Sequence, residues 1–181
     1  MAGRLVVDAF TREFQKTRQL SERAIAQLSD AQLHTRLDAE ANSVAMLMQH
    51  LAGNMRSRWT DFLTTDGEKP WRQRDAEFEP PVLTRDALMV SWQSGWQTLF
   101  DTLATLTDDD LTRTVTIRGE GQPVLEPLGV QPPLTSAACR GVATLRIVRL
   151  GETSRKKLGQ DVQRGAPMFM VRRPPFPTPS V

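Results

Sequence analysis

Val7, Phe10, Phe14, Thr17, Ser21, Ala24 and Leu28 recur at alternating steps of three and four, so a helix would line them along one side. The spacing returns in Val44, Leu47, Met48, Leu51, Met55, Trp59 and Phe62, and again in Leu88, Trp92, Trp96, Leu99, Leu103 and Leu106. Three amphipathic helices can bury their stripes only against one another, which makes the chain all-α and predicts a helical bundle. Ser29 and Asp30 are placed to open a short turn ending near Leu37. Asn42 is expected to cap the second long helix, which should run to about Leu63, and Thr84 to cap the third. Asp66-Gly67 and Lys69-Pro70 break the second helix, and the polar stretch up to Pro80-Pro81 reads as a long loop pinned by Trp71 and Phe78.

An internal echo favours paired units. Leu28-Ser29-Asp30-Ala31-Gln32-Leu33 and Leu106-Thr107-Asp108-Asp109-Asp110-Leu111 share a pattern, each directly after a long helix. Residues 114–126 then turn β-prone, with Gly119-Glu120-Gly121 inviting a turn, and predict a small hairpin or extended crossover. A fourth helix is needed to close the bundle in up-down order, and Leu134 to Leu150 is the candidate. It is a degraded one, because Pro127, Pro132 and Pro133 forbid an early start and Gly141 weakens its middle. Without it the apolar groove of Phe10, Leu51, Leu88, Trp92 and Leu99 should be partly open, which favours a homodimer. The domain therefore spans residues 1–150, and residues 151–181 form a basic, Pro-rich tail of irregular structure.

Charge divides the chain in a similar place. Residues 121–181 hold nine basic and three acidic residues, whereas residues 1–120 hold 14 and 18. Nine of the 12 prolines also lie in the last third, so a net charge of +2 averages two unlike segments. Arg155-Lys156-Lys157 and Arg172-Arg173 lack interleaved aromatic residues and read as a solvated tail, with no nucleic-acid partner. No apolar run reaches the roughly 18 residues of a membrane span. Asp8, Arg12 and Glu13 interrupt what would be a leader, so a cytoplasmic location without a membrane partner is expected. Cys139 is the one cysteine, which excludes an intramolecular disulfide and a cysteine-rich zinc knuckle.

The second helix carries a more specific pattern. Asn42-Ser43-Val44-Ala45, the run Gln49-His50-Leu51-Ala52-Gly53-Asn54-Met55-Arg56-Ser57-Arg58-Trp59-Thr60-Asp61-Phe62, then Asp66 to Arg72 and Arg74-Asp75 resemble the DinB-like (YfiT-like) superfamily, in a bacterial branch without assigned activity. The likeness runs from about Phe10 to Glu126. It implies a four-helix bundle, often a dimer, with one divalent metal (Zn, Ni or Mn) held by three histidines. One histidine comes from the second helix and two from an H-x-x-x-H on the fourth. Some members resemble thiol-dependent transferases acting on small molecules.

Only the first histidine has a counterpart here, His50, because no histidine follows it. Anchoring the comparison on Gly141 puts Thr135 and Cys139 in the two missing places, and anchoring on Gln131 puts Leu134 and Ala138 there. A thiolate at Cys139 can ligate, whereas Thr135 is a poor substitute. A shifted reading frame after about Glu126 would account for both the composition break and the lost ligands. Codons chosen for Leu134 to Gly141 contain, in two other frames, strings resembling the family's helix-four motif.

Asn54 and Arg58 follow His50 at i+4 and i+8 on one helix face, where they would orient a bound water or an anionic substrate, or else satisfy buried backbone groups. Trp59, Trp92 and Trp96 fit the core, whereas Trp71 on the loop is placed to cover the bundle end. His34 falls in a capped turn and is expected to be exposed.

Overall fold

A computed structural model describes residues 3–36, 38, 41–79 and 83–128. Helix α1 spans Leu5–Ile25, α2 Asp30–His34, α3 Val44–Trp59 and α4 Arg85–Thr105, followed by strands β1 Thr114–Ile117 and β2 Glu120–Pro123. Short 3-10 turns lie at Asp75–Phe78, between α3 and α4, and at Asp108–Thr112, after α4.

Three helices start where a hydroxyl can take an unpaired amide. Ser29 Oγ accepts from Gln32 N while the Gln32 side chain accepts from Ser29 N, closing a capping box. Thr84 Oγ1 accepts from Ala87 N, as expected. The cap of α3 is Ser43 rather than Asn42. Both residue types are good caps, but Ser43 holds the extended backbone from which Oγ reaches Met46 N. Helix α3 ends at Trp59, short of the expected Leu63, because the chain turns at Asp61, whose φ is 47°.

Helix α1 has no cap within its own segment. Asp108, just past α4, accepts from Val6 N and Val7 N. In return Arg4 donates to the carbonyls of Leu103, Ala104 and Leu106 at the end of α4. Each helix thus stops the other's orphan backbone groups. At the opposite end of α1, Arg85 donates to the carbonyls of Ile25 and Leu28 and pairs with Asp30 at 2.6 Å. The two echo segments do form like units: Thr107 and Asp110 make a second capping box, although the turn it opens is 3-10.

Helix α3 packs along α4. Gly95 makes the close approach possible, since a Cβ there would lie 2.9 Å from Ala52 Cα. Phe14 meets Trp59 and Trp96 edge-on, both at 6.4 Å, in a core that includes Met55, Leu88, Leu99 and Leu103. The groove expected to stand open is not open at four of its five residues: Leu51, Leu88, Trp92 and Leu99 are buried, and Phe10 is half-buried against the core. The proposed fourth helix (134–150), Cys139, Thr135 and the 151–181 tail all lie outside the described residues.

The expected crossover is a tight antiparallel hairpin, pairing Thr114 with Pro123 and Ile117 with Glu120. Its turn, Arg118-Gly119, has φ of 56° and 77°, the two positive values that a type I′ connection needs. The loop after α3 fastens it: Asp66 accepts from Arg118 N at 2.9 Å and Gly119 N at 2.7 Å, and Gly67 N donates to Thr116 O.

Candidate functional site around His50

His50 sits in the middle of α3, half-buried, with 23% of its side chain exposed. The 3-10 turn Asp75–Phe78 meets the helix there and brings in two groups from the loop. The ring of Phe78 lies 4.4 Å from the imidazole, and Glu77 Oε2 lies 2.8 Å from His50 Nδ1. Gln49 Nε2, one residue earlier on α3, donates to Ala76 O and ties the turn down.

Glu77 is itself gripped by Arg72. Nε donates to Oε1 at 2.9 Å and Nη2 to Oε2 at 2.8 Å, a two-pronged pairing in which only 2% of the Arg72 side chain is exposed. Burial pushes the Glu77 carboxyl up, but Arg72 and His50 more than offset it and hold it below its ordinary value. The carboxylate is therefore ionised and can only accept, so Nδ1 carries the hydrogen and donates it. That fixes the ring's tautomer and leaves Nε2 as the nitrogen available to a ligand or a proton.

Asn54 and Arg58 continue the same face, both half-buried. A separation of eight residues along α3 puts Arg58 about 12 Å from His50 along the axis. Trp71 is 55% exposed. It lines a cavity of about 620 Å³ with Gln49, Gly53, Arg56, Arg72 and Glu77, which therefore shares Arg72 and Glu77 with the His50 site. His34 is exposed, as expected, and Trp59, Trp92 and Trp96 belong to the core.

Sequence reasoning missed Glu77 and the role of Arg72. Nothing in the periodicity marks them, because a loop residue reaching 27 positions back along the chain follows no period. The only signal was their place in or beside the segment Trp71 to Asp75, which is distinctive for reasons other than helix formation.

The architecture defines the class: an all-α bundle, similar in fold to a conserved protein from Enterococcus faecalis (14% identity, TM-score 0.61, 81% of this chain and 98% of that one) and to YfiT from Bacillus subtilis among solved structures. YfiT is 17% identical with a TM-score of 0.61 over 86% of this chain and 89% of its own, and is described as a probable metal-dependent hydrolase with an unusual four-helix bundle topology. The chain belongs to the family described as protein of unknown function (DUF1572), whose profile matches residues 2–137. No curated protein matches the sequence.

The donor set does not fit the three-histidine metal site that the resemblance implies. The chain has two histidines, one short of a three-imidazole site, and His34 is exposed on α2. Among the described residues no three His, Cys, Asp or Glu side chains gather as a metal would require. Glu77, the carboxylate beside His50, already spends both oxygens on Arg72, and a divalent cation would have to displace that guanidinium. No helix among the described residues is long and apolar enough to cross a membrane.

Proposed function

We propose that this protein carries the scaffold of a metal-dependent, thiol-linked transferase or hydrolase, with an incomplete metal triad, and that His50 is what remains of its reactive centre. The observation behind this is the 2.8 Å contact between His50 Nδ1 and a buried, Arg72-paired Glu77. A carboxylate behind an imidazole holds the ring in one pose and one tautomer, with Nε2 turned outward. Nε2 then takes the proton of a small-molecule thiol or of water, and Glu77 stabilises the imidazolium that results. Asn54 and Arg58 are the groups we assign to orienting the substrate, and Trp71 borders it only if it extends over the loop; were a Zn, Ni or Mn ion bound instead, Nε2 would be its ligand rather than a base, and Cys139 is the remaining thiol that would join it. The working form in this reading is a cytoplasmic homodimer.

A second reading follows from the donor set: a catalytically inert bundle serving as a dimerising interaction module. Leu5 and Leu20 on α1 and Val90 on α4 are large, apolar and exposed, and offer contact surface. Elemental analysis of the untagged chain purified without chelator, beside His50→Ala, separates the two. About one ion per chain, lost in the variant, supports the enzyme reading. A folded protein without stoichiometric metal supports the interaction module.

A further inference from the structure

We infer that Arg58 and Arg118 form a binding site for the carboxylate group of a small molecule, in the cavity between the end of α3 and the β-hairpin. The cavity measures about 340 Å³ and is lined by Arg58, Ile117, Arg118, Glu120, Gln122 and Pro127. That volume suits a compact organic acid.

Three arginines converge on this end of the molecule, and two carboxylates serve them. Glu77 is taken by Arg72, and Glu68 is shared, with Oε1 3.4 Å from Arg72 Nη1 and Oε2 3.1 Å from Arg118 Nε. Arg58 is left over. No carboxylate among the described residues lies within ion-pair distance of it, and its Nε is fully buried without a hydrogen-bond partner. A cation with no anion beside it is costly to hold in a half-buried position, and Arg58 lines the cavity, where an incoming carboxylate can pair with the part of the guanidinium that faces it. Burial, with Arg118 and Arg72 nearby, accordingly disfavours its charged form.

The site is also stiff. Arg118 projects from a left-handed turn residue whose own N–H is held by Asp66, and its guanidinium is braced by Glu68. Gly67 gives Ile117 room, for a Cβ there would sit 3.1 Å from Ile117 Cγ1. Charge selects the ligand class. Three arginines against Glu77 and Glu68 leave a spare charge of about one, and Glu120 in the same lining lowers it further, which suits a carboxylate better than a phosphate dianion. Ile117 and Pro127 supply an apolar wall for the acid's carbon body. The inference does not depend on whether His50 binds metal.

The test is calorimetric titration of the full chain with sodium butyrate at low ionic strength, with sodium chloride and inorganic phosphate as matched controls. Butyrate should bind, and Arg118→Gln should weaken it about tenfold, the worth of one charge-assisted hydrogen bond. Arg58→Gln should weaken it at least as much. Arg118 is largely exposed, so its variant keeps the test valid if Arg58→Gln fails to fold. Absence of butyrate binding, binding as tight as the parent's in both variants, or phosphate binding more tightly than butyrate would each overturn the inference.

Discussion

The Glu77 carboxylate occupies the space that a side chain on Gly53 would need: a Cβ there would lie 2.1 Å from Oε1 and 2.8 Å from Cδ. Glycine in the middle of α3 is thus the condition for the His50–Glu77–Arg72 chain. Gly53→Ala should improve helix propensity by about 1 kcal/mol. It should nevertheless destabilise the protein by about 2 kcal/mol or more, because displacing Glu77 leaves the Arg72 cation buried without its partner. Urea denaturation decides it, and a variant more stable than the parent would contradict the packing described.

Glu77→Gln removes the anion that both Arg72 and His50 address. About 3 kcal/mol of stability should be lost, the usual cost of breaking a buried pair from one side. Nitrogen NMR at alkaline pH should find His50 as the Nδ1–H tautomer in the parent and as a mixture in the variant. An unchanged tautomer in the variant would mean that Glu77 does not set it.

Gly95→Ala tests the contact of α3 with α4. Its Cβ would meet the Ala52 backbone at 2.9 Å from Cα and 3.0 Å from the carbonyl oxygen, neither of which can swing aside. A net loss of about 1–2 kcal/mol is expected after the gain in helix propensity. Thermal or urea unfolding checks it.

Asp66 gives the hairpin an acid-sensitive fastening. Its carboxyl is held below the ordinary value by the Glu68 N–H first, and by those of Gly119 and Arg118. A native group with a lowered pKa binds fewer protons than the unfolded chain, so its contribution is complete above about pH 3.9 and is lost as pH falls through the native value. Asp66→Asn should therefore reduce the slope of stability against pH below about pH 4 and leave that slope unchanged near neutrality. A slope equal to the parent's in acid would remove Asp66 from the account.

The shifted-frame explanation of the last third is decided by the coding DNA. With more than one small insertion or deletion after about Glu126, the nucleotides should restore an H-x-x-x-H that follows the hairpin. Codons that admit no such alternative would dispose of it.

The helices were readable because an apolar stripe at helical spacing is a local signature. The stripes of Phe14, Trp59 and Trp96 foretold the core that these rings fill. Caps were readable to within a residue: Thr84 was right, whereas Asn42 and Ser43 are chemically equivalent candidates and only backbone geometry chooses Ser43. His50 stood out through its neighbours on α3. Glu77, Arg118 and Glu68 did not, because loops position side chains through long-range contacts such as the clamp of Asp66 on the hairpin, and no spacing in the sequence encodes those.

The reciprocal lock between Arg4 and the end of α4, and between Asp108 and the start of α1, joins residues about a hundred positions apart. During synthesis at 5–20 residues per second, α1 leaves the ribosome about 5–20 s before the groups that finish it exist. Through that interval its buried stripe, with Val7 and Phe14, has no α4 to rest on. Nascent chains stalled before residue 103 has emerged should accordingly be clients of holding chaperones, while chains in which residue 110 has emerged should release them.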